Sequence, residues 1–593
     1  MKRIASLMLV ATLATPALAQ QDPLAPLVTS PTPLPAPAQA PQQTSNPAVG
    51  VPVRPPVAMP APQPVVVPRD WRGVFAAIDR GNWASARAGI ATLPPSLLTP
   101  LAKAELYTAR NSPVVPLEAV QALLVEAPEL PQAEQLARMA VTRGAIEPPR
   151  YYPRKGMRSL GGAPGRYRAK PVQGDPTADA LRTGLEPLVK ANDALGAEAL
   201  LAQSGPYMTY DARAEAGQRV AWIYYILSDD QNARRVADTW RPGATGEWAS
   251  QAAWISGLAS WRLNDCEAAS RAFREVAAAA TQRELRAGGL YWAARAEQAC
   301  RRPRSVAPLL KQAAASPESF YGLLARETLG MDTRLPAKSR NDAALVEQLP
   351  NVRRAAELIR IGERALADRM IRHQAAIGSP REHQGLIEVA KRLELASTQH
   401  WLASTGQPGA LADPSDRYPN PRWTPLNGWR IDPALAFGHI IQESTFNIGA
   451  VSAADAVGLM QVVPSTAADM ARDRGMPFSR AQLTDARYNL EYGQSVIEWM
   501  RRSGNTGGQL TKVIAAFNAG LTPVGRWASI NDKGDPLLWV ESLSYWETRY
   551  YVPAVLRNLW VYQGLNKAPQ PTLKAMAQHQ WPAFPTAHTR LSH

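Results

Sequence analysis

Glu443 stands almost alone among apolar neighbours. The run PALAFGHIIQE, residues 433–443, ends in it, and small residues lead from there to Gly458-Leu459-Met460-Gln461. A buried carboxylate is unfavourable unless it is paired, hydrogen-bonded or protonated. The first two outcomes are structural, and the third is what a general acid needs. Asp432 is a good N-cap and Pro433 suits the first helical position. The residues after them are apolar nearly all round, which predicts a buried helix that frays where Asn447 and Gly449 arrive. Glu443 then sits near a helix C-terminus, where the dipole opposes negative charge. Burial and dipole both raise its pKa, and a carboxyl kept protonated near neutral pH can cleave a glycosidic bond by giving its proton to the leaving oxygen. The alternative is a capped, buried carboxylate with no chemical role.

The segments after Glu443 carry groups that suit a cleft. Ser452 follows a turn, Gly458 permits close backbone approach, Met460 offers a flexible apolar surface, and Gln461 both donates and accepts. Pro464 starts a further helix, PSTAADMARDRG. AAFNAGLTPVGRW, residues 515–527, places Phe517, Asn518 and Gly520 at a helix-ending turn, and ESLSYWETRYYVPAVL, residues 541–556, places Glu547, Arg549 and Tyr551 together. Bland readings stand beside these. His439 reads as a packed core histidine before it reads as a relay, Glu547 and Arg549 could be a salt bridge holding the C-terminal helix, and Met460 could be core, though its place in Gly-Leu-Met-Gln favours the cleft. The 7 histidines show no metal-ligand spacing and no calcium-binding loop occurs, so neither a metal nor a cofactor is expected.

The elements that position these groups belong to a long chain. At 593 residues several domains are expected, and 46% apolar residues suffice for globular packing. The N-terminus, MKRIASLMLVATLATPALAQ, has two early positive charges, a short apolar segment and Ala17-Leu18-Ala19 before Gln20, the pattern of a signal peptide over 1–19. No later run is long enough for a membrane helix, so export as a soluble protein without stable membrane insertion is expected. Residues 20–68 are rich in Pro and Ala and read as a disordered linker. The net charge of +15, with no nucleic-acid motif, points to an anionic envelope polymer rather than nucleic acid, most of the charges being solvated helix faces.

From about 70 to 405 one phrase recurs: turn, small-residue helix, turn, as in RGNWASARAGIATLP, DDQNARRVADTWRPG and NDCEAASRAFREVAAAA. Ala at i, i+4 spacing allows close antiparallel pairs, and repeated pairs build a superhelix. Strand patterns are scarce, so the chain reads as all-α. The only cysteines, Cys266 and Cys300, open and close two successive helices read over 266–280 and 284–300. An antiparallel pair brings them to the same end, which in an oxidising compartment favours a disulfide; the alternative is two buried thiols.

Four ordered blocks, Glu443-Ser444-Thr445-Phe446-Asn447 with Ser452, Gly458-Leu459-Met460-Gln461 with Pro464-Ser465-Thr466-Ala467, AAFNAG and ETRYYV, resemble the catalytic domain of the large soluble lytic transglycosylases, whose fold is like goose-type lysozyme. The match spans 418–567. Upstream, SPESFYGLLARETLG (316–330) resembles the segment opening the linker domain of those enzymes, and the superhelix resembles their ring-forming helical domain. The resemblance implies an α-superhelical domain over 69–317, a linker helical domain over 318–417, a lysozyme-like α-helical catalytic domain over 418–567 and a C-terminal tail over 568–593.

It further implies a periplasmic enzyme that cleaves the β-1,4 bond between N-acetylmuramic acid and N-acetylglucosamine of peptidoglycan without water, leaving 1,6-anhydro ends. Glu443 matches the family's single acid and base, and Ser452, Gln461, Asn518 and Glu547 match residues lining the sugar subsites; Gly458, Met460, Phe517 and Tyr551 complete the expected substrate-binding set. Glycan strands are the implied partner, with cell-wall assembly or division proteins as further candidates. Three positions depart from the family pattern. Phe517 stands where Tyr is usual, Asp455 where Gly is usual and Ile441 where Arg is usual. They leave two alternatives open, a catalytically weakened glycan-binding scaffold and a muramidase hydrolase that uses Asp455 as a second carboxylate.

Overall fold

The computed structural model describes residues 65–336 and 342–585. The expected signal peptide, nearly all of the linker and residues 586–593 lie outside the described residues. The all-α class expected from sequence is the one observed. Among the described residues the only sheet is a two-residue antiparallel ladder pairing Arg158 with Gly406 and Ser159 with Thr405.

The chain divides into two compact units. In the first, residues 65–153 join Arg353–Ala367. Its helices Trp71–Asp79 and Trp83–Thr92 start at Asp70 and Asn82, whose side chains accept from Gly73 N and Ser85 N. These bonds satisfy amides that have no partner within the helix. Thr99–Thr108, Leu117–Glu126 and Ala133–Thr142 follow, and Leu101, Leu123, Leu124 and Leu136 form the buried face. Arg354 returns to this unit by donating to Glu129 and to Leu97 O.

The second unit holds Arg154–Val352 and all described residues from Asp368 onward. Its helical repeat has a period legible in one dipeptide. Asn192-Asp193, Ser228-Asp229 and Asn264-Asp265 recur at intervals of 36 residues. The first residue of each pair is left-handed, with φ of 54°, 64° and 61°, and ends one helix. The aspartate then caps the next, accepting from Gly196 N, Asn232 N and Ala268 N. Backbones come close where a side chain is missing: a Cβ on Gly289 would lie 2.8 Å from Phe273 O. That approach brings helix Arg283–Ala299 against Cys266–Ala279, and Cys266 and Cys300 are disulfide-bonded across the ends of this hairpin with Cα atoms 5.5 Å apart.

Aromatic rings and buried charges tie the superhelix to the later helices of the same unit. Trp292 Nε1 donates to the Tyr321 hydroxyl at 2.9 Å, and Phe320 stacks on Trp560 with centroids 5.2 Å apart. The segment around 533–549 is gripped by arginines. Arg166 pairs with Glu541 at 2.7 Å, Arg295 with Asp535 at 2.6 Å, Arg262 donates to Ser542, and Arg549 lies 3.7 Å from the Trp222 ring centroid. These four charges are buried and partnered, not spread on the solvated helix faces expected for most of the positive charge. Planar guanidinium groups make this possible, because they bond in their plane and stack on rings with their faces. The segment expected as a tail contains helix Pro571–Ala577, whose Leu573 and Met576 are fully buried.

The disulfide gives a direct test of the hairpin. It closes a sequence separation of 34 residues, for which chain entropy predicts a contribution of about 3–4 kcal/mol. Cys266→Ser with Cys300→Ser should therefore unfold at clearly lower urea concentration than the wild type, and dithiothreitol should shift the wild type toward the double variant. Coincident unfolding curves for all three samples would show that the crosslink bears no load.

Candidate active site

The crossing of two helices places the carboxyl group at the centre of the site. Helix Pro433–Glu443 runs antiparallel to Trp546–Leu565. At one end the buried Asp432 caps its own helix through Ala434 N at 2.9 Å and accepts from Gln563 Nε2 at 2.9 Å. In the middle Asn558 donates to Gly438 O at 3.0 Å, and a Cβ on Gly438 would lie 3.1 Å from Val555 O. The absent side chain lets the backbones approach. At the far end the register brings His439 and Glu443, one turn apart on one face, to Tyr551.

Tyr551 donates its hydroxyl to Glu443 Oε1 at 2.5 Å, and His439 Nδ1 lies 2.7 Å from the same hydroxyl. His439 is fully buried, with its ring centroid 4.5 Å from that of Phe517. Burial pushes its pKa down to about 3, so the imidazole is neutral. Although part of Glu443 reaches solvent, protein surrounds its carboxyl closely enough for desolvation to dominate. Its pKa is pushed up to about 7, first by that burial, against the lowering effect of the Tyr551 hydrogen bond, with a further upward push from Glu547. The geometry thus presents a single carboxyl group that keeps its proton near neutral pH and has one oxygen held by a phenol.

After Glu443 the backbone is forced through a tight series of turns. Thr445, Phe446, Asp455 and Gln461 are all left-handed, with φ of 48°, 65°, 60° and 46°, and Gly458 has φ of 81°. Phe446, 1% exposed, anchors the loop against Phe437 and Trp423. Ser452 Oγ accepts from Ala456 N at 3.0 Å, and Gln461 Nε2 donates to Gly458 O at 2.9 Å. Both side chains therefore brace the loop while remaining partly exposed. Any Cβ on Gly458 would meet Leu483 O and Asn489 Nδ2 at about 2.2–2.3 Å, so glycine is required there. Met460, expected in the cleft, is fully buried instead and packs with its sulfur against Gly493. Its backbone N–H is held by Asn489 Oδ1 at 2.8 Å, which turns the side chain into the core.

Asp455 is exposed and ion-paired with Arg480. Its left-handed backbone gives a conformational reason for glycine in the resembling family, and Asp is among the residues that tolerate this region. Across the site, helix Leu510–Ala519 carries Phe517 and Asn518. Asn518 Oδ1 accepts from Thr548 Oγ1 at 2.6 Å, and its amide reaches Glu547 Oε1 at 3.5 Å. Glu547 is exposed in the first turn of Trp546–Leu565, and no ion pair joins it to Arg549, which stacks on Trp222. The salt-bridge reading of that pair is thereby removed. A cavity of about 430 Å³ runs beside this wall, lined in part by Gln442, Trp546, Glu547, Tyr550 and Tyr551. His439 is the packed core histidine expected from sequence. What the sequence did not show is the Tyr551 hydroxyl at its Nδ1.

Residues 425–539 match the Transglycosylase SLT domain family. The soluble lytic murein transglycosylase of Salmonella typhimurium is 32% identical over 181 residues, 28% of each chain, and that of Escherichia coli K12 is 34% identical over 134 residues, 22% of this chain and 20% of the relative. The aligned stretches span only about a quarter of the curated relatives' length. In fold, the 70 kDa soluble lytic transglycosylase of Escherichia coli covers 86% of this chain and 99% of its own at a TM-score of 0.53 and 17% identity. An inactive mutant of lytic transglycosylase Slt from Pseudomonas aeruginosa covers 84% and 86% at a TM-score of 0.52 and 19% identity. The chain carries an SLT domain within an all-α architecture shared with these soluble transglycosylases.

The raised Glu443 pKa has a sign that stability can test. Folding favours the protonated form, so this contribution is present below the ordinary carboxyl range and is lost as pH rises through about 7. Glu443→Gln should match the wild type near pH 3 and exceed its stability at pH 8 by up to about 3 kcal/mol. Difference infrared titration of the carboxyl should place the midpoint near 7, with Tyr551→Phe moving it up and Glu547→Gln moving it down. A midpoint in the ordinary glutamate range would overturn the electrostatic reading.

Proposed function

We propose that this chain is a lytic transglycosylase acting on the β-1,4 bond between N-acetylmuramic acid and N-acetylglucosamine in peptidoglycan, with Glu443 as its single acid and base. The observation that carries the reading is the isolated Glu443 carboxyl, raised to about 7 and fixed through Oε1 by Tyr551. Supporting it, the SLT domain match covers the acid and the loop after it.

Glu443 gives its proton to the glycosidic oxygen as the bond from that oxygen to the muramic anomeric carbon breaks. The substrate's acetamido oxygen stabilises the electron-poor carbon. Glu443, now a carboxylate, accepts the proton of the C6 hydroxyl while O6 bonds to the anomeric carbon and the acetamido group is released. The acid is regenerated, no water is consumed, and the muramic end is a 1,6-anhydro sugar. A mechanism of this kind needs one carboxyl group, because the substrate supplies the second stabilising group. Asp455 is a poor second carboxylate in this setting, being exposed and committed to Arg480. Ser452, Gln461, Asn518 and Glu547 are the side chains we assign to the sugar subsites, with the ring of Phe517 beside them.

Consistent with a substrate outside the cytoplasm, the N-terminal signal pattern leads us to place the enzyme in the periplasm, and no described helix is long and apolar enough to cross a membrane. Incubation of purified sacculi with the protein, followed by mass spectrometry, should yield fragments one water lighter than hydrolysis products. Glu443→Gln should abolish their release while leaving the circular dichroism spectrum unchanged, since an amide has no proton to give. Turnover by that variant would remove Glu443 from the mechanism, and reducing muramic ends as the main product would make the enzyme a hydrolase.

A further inference from the structure

We propose that His439 is a positioning residue for Glu443: it donates from Nδ1 to the Tyr551 oxygen, commits the Tyr551 hydroxyl to Glu443 Oε1, and so reserves Oε2 for the proton that moves. The proposal rests on the reading of Glu443 as the acid.

The argument starts from one hydroxyl with one proton and two close neighbours, His439 Nδ1 at 2.7 Å and Glu443 Oε1 at 2.5 Å. Two directions are open to this chain of bonds. In one, Nδ1–H donates to Tyr551 and Tyr551 donates to Glu443. In the other, protonated Glu443 donates to Tyr551, Tyr551 donates to Nδ1, and the imidazole proton sits on Nε2. Nε2 is buried with no hydrogen-bond partner. The second direction therefore strands a donor in the core, and orphaned N–H groups are what folded proteins avoid most. It also fails when Glu443 is ionised, and it spends the acid's proton on the tyrosine. The first direction serves both charge states of Glu443 without any reorientation, which is the form of preorganisation that lowers a barrier.

Packing holds the imidazole in that orientation. His439 lies one turn before Glu443 on the same helix face, and Phe517 closes against its ring. Among the described residues no other titratable side chain bonds to the Tyr551 hydroxyl. Those facing Glu443 are Tyr551 and Glu547. On the same helix as these, Arg549 is taken up by Trp222 and Arg557 by Pro164 O and Asn558. On helix Leu510–Ala519, Lys512 lies over Trp581. The loop after Glu443 carries one charge, Asp455, held by Arg480.

Two measurements on the full chain test this. With histidine labelled at its ring nitrogens, the resonances lost in His439→Asn should report a neutral imidazole protonated on Nδ1 from about pH 5 to about pH 8. Protonation on Nε2 overturns the proposal, and this reading needs no lytic activity, so it stands even if the proposed reaction is wrong. For activity on sacculi, His439→Asn keeps an N–H near the Nδ1 position and should stay within about threefold of wild-type kcat. His439→Leu fills the space without a donor. It should lose about tenfold in kcat at unchanged KM, with the basic limb of the pH profile moved upward, because Tyr551 becomes a weaker donor to the carboxylate. Equal losses in both variants, or no loss in either, would reduce His439 to a space-filling group and overturn the proposal.

Discussion

The placement of the Glu443 carboxyl depends on the close antiparallel crossing of helix Pro433–Glu443 over Trp546–Leu565. At Gly438 the two backbones are so near that even a methyl group would crowd Val555 O, and inserting volume into a packed contact typically costs about 1–3 kcal/mol. That proximity lets Asn558 reach a main-chain carbonyl of the facing helix and Asp432 bond Gln563. It also fixes the register. With Asp432 opposite Gln563 and Gly438 opposite Asn558, the only residues left to meet Tyr551 are His439 and Glu443. A wider crossing would leave the phenol short of the carboxyl and strand three polar groups in an apolar interface.

The arrangement holds a tension that the surrounding chain must sustain. Glu443 ends its helix, where the dipole disfavours a negative charge, inside protein that cannot solvate one. The structure leaves the proton on and offers a single neutral donor, Tyr551, in place of a cation. An arginine there would pull the pKa down and favour the ionised form. Arginines of this helix and of the cavity beside it are instead stacked or paired elsewhere: Arg549 on Trp222, Arg166 with Glu541, Arg417 with Glu318. Ile441, two residues before Glu443, keeps this helix free of charge up to its last residue.

The acid, its helix and the N-cap Asp432 were legible because they rest on local rules: apolar periodicity, capping chemistry and the position of one charge at a helix end. The all-α class and the paired helices were legible for the same reason. What the sequence hid depends on rotation and long-range approach. Met460 carries the same motif in either orientation, and only the bond from its backbone N–H to Asn489 decides that its side chain faces the core. Asp455 looked like a possible second carboxylate because sequence shows its charge but not its φ; the left-handed backbone explains the position without chemistry. His439 was read as core, and it is buried. The missing fact was Tyr551 at the other side of the ring, 112 residues away.

The superhelix bears on this site through the segment that precedes the Tyr551 helix. Helix Pro536–Glu541 and its two caps supply Asp535, Glu541 and Ser542, and each is held by a side chain from the earlier part of the unit: Arg295, Arg166 with Tyr321, and Arg262 with Tyr225. Buried pairs of this kind add little net stability over an apolar core, yet breaking one strands a charge. Their effect is therefore on position more than on free energy. They define where Trp546–Leu565 begins, hence where Glu547 and Tyr551 stand relative to Glu443. Helices far from Glu443 in sequence can in this way bear on the 2.5 Å hydrogen bond to its carboxyl.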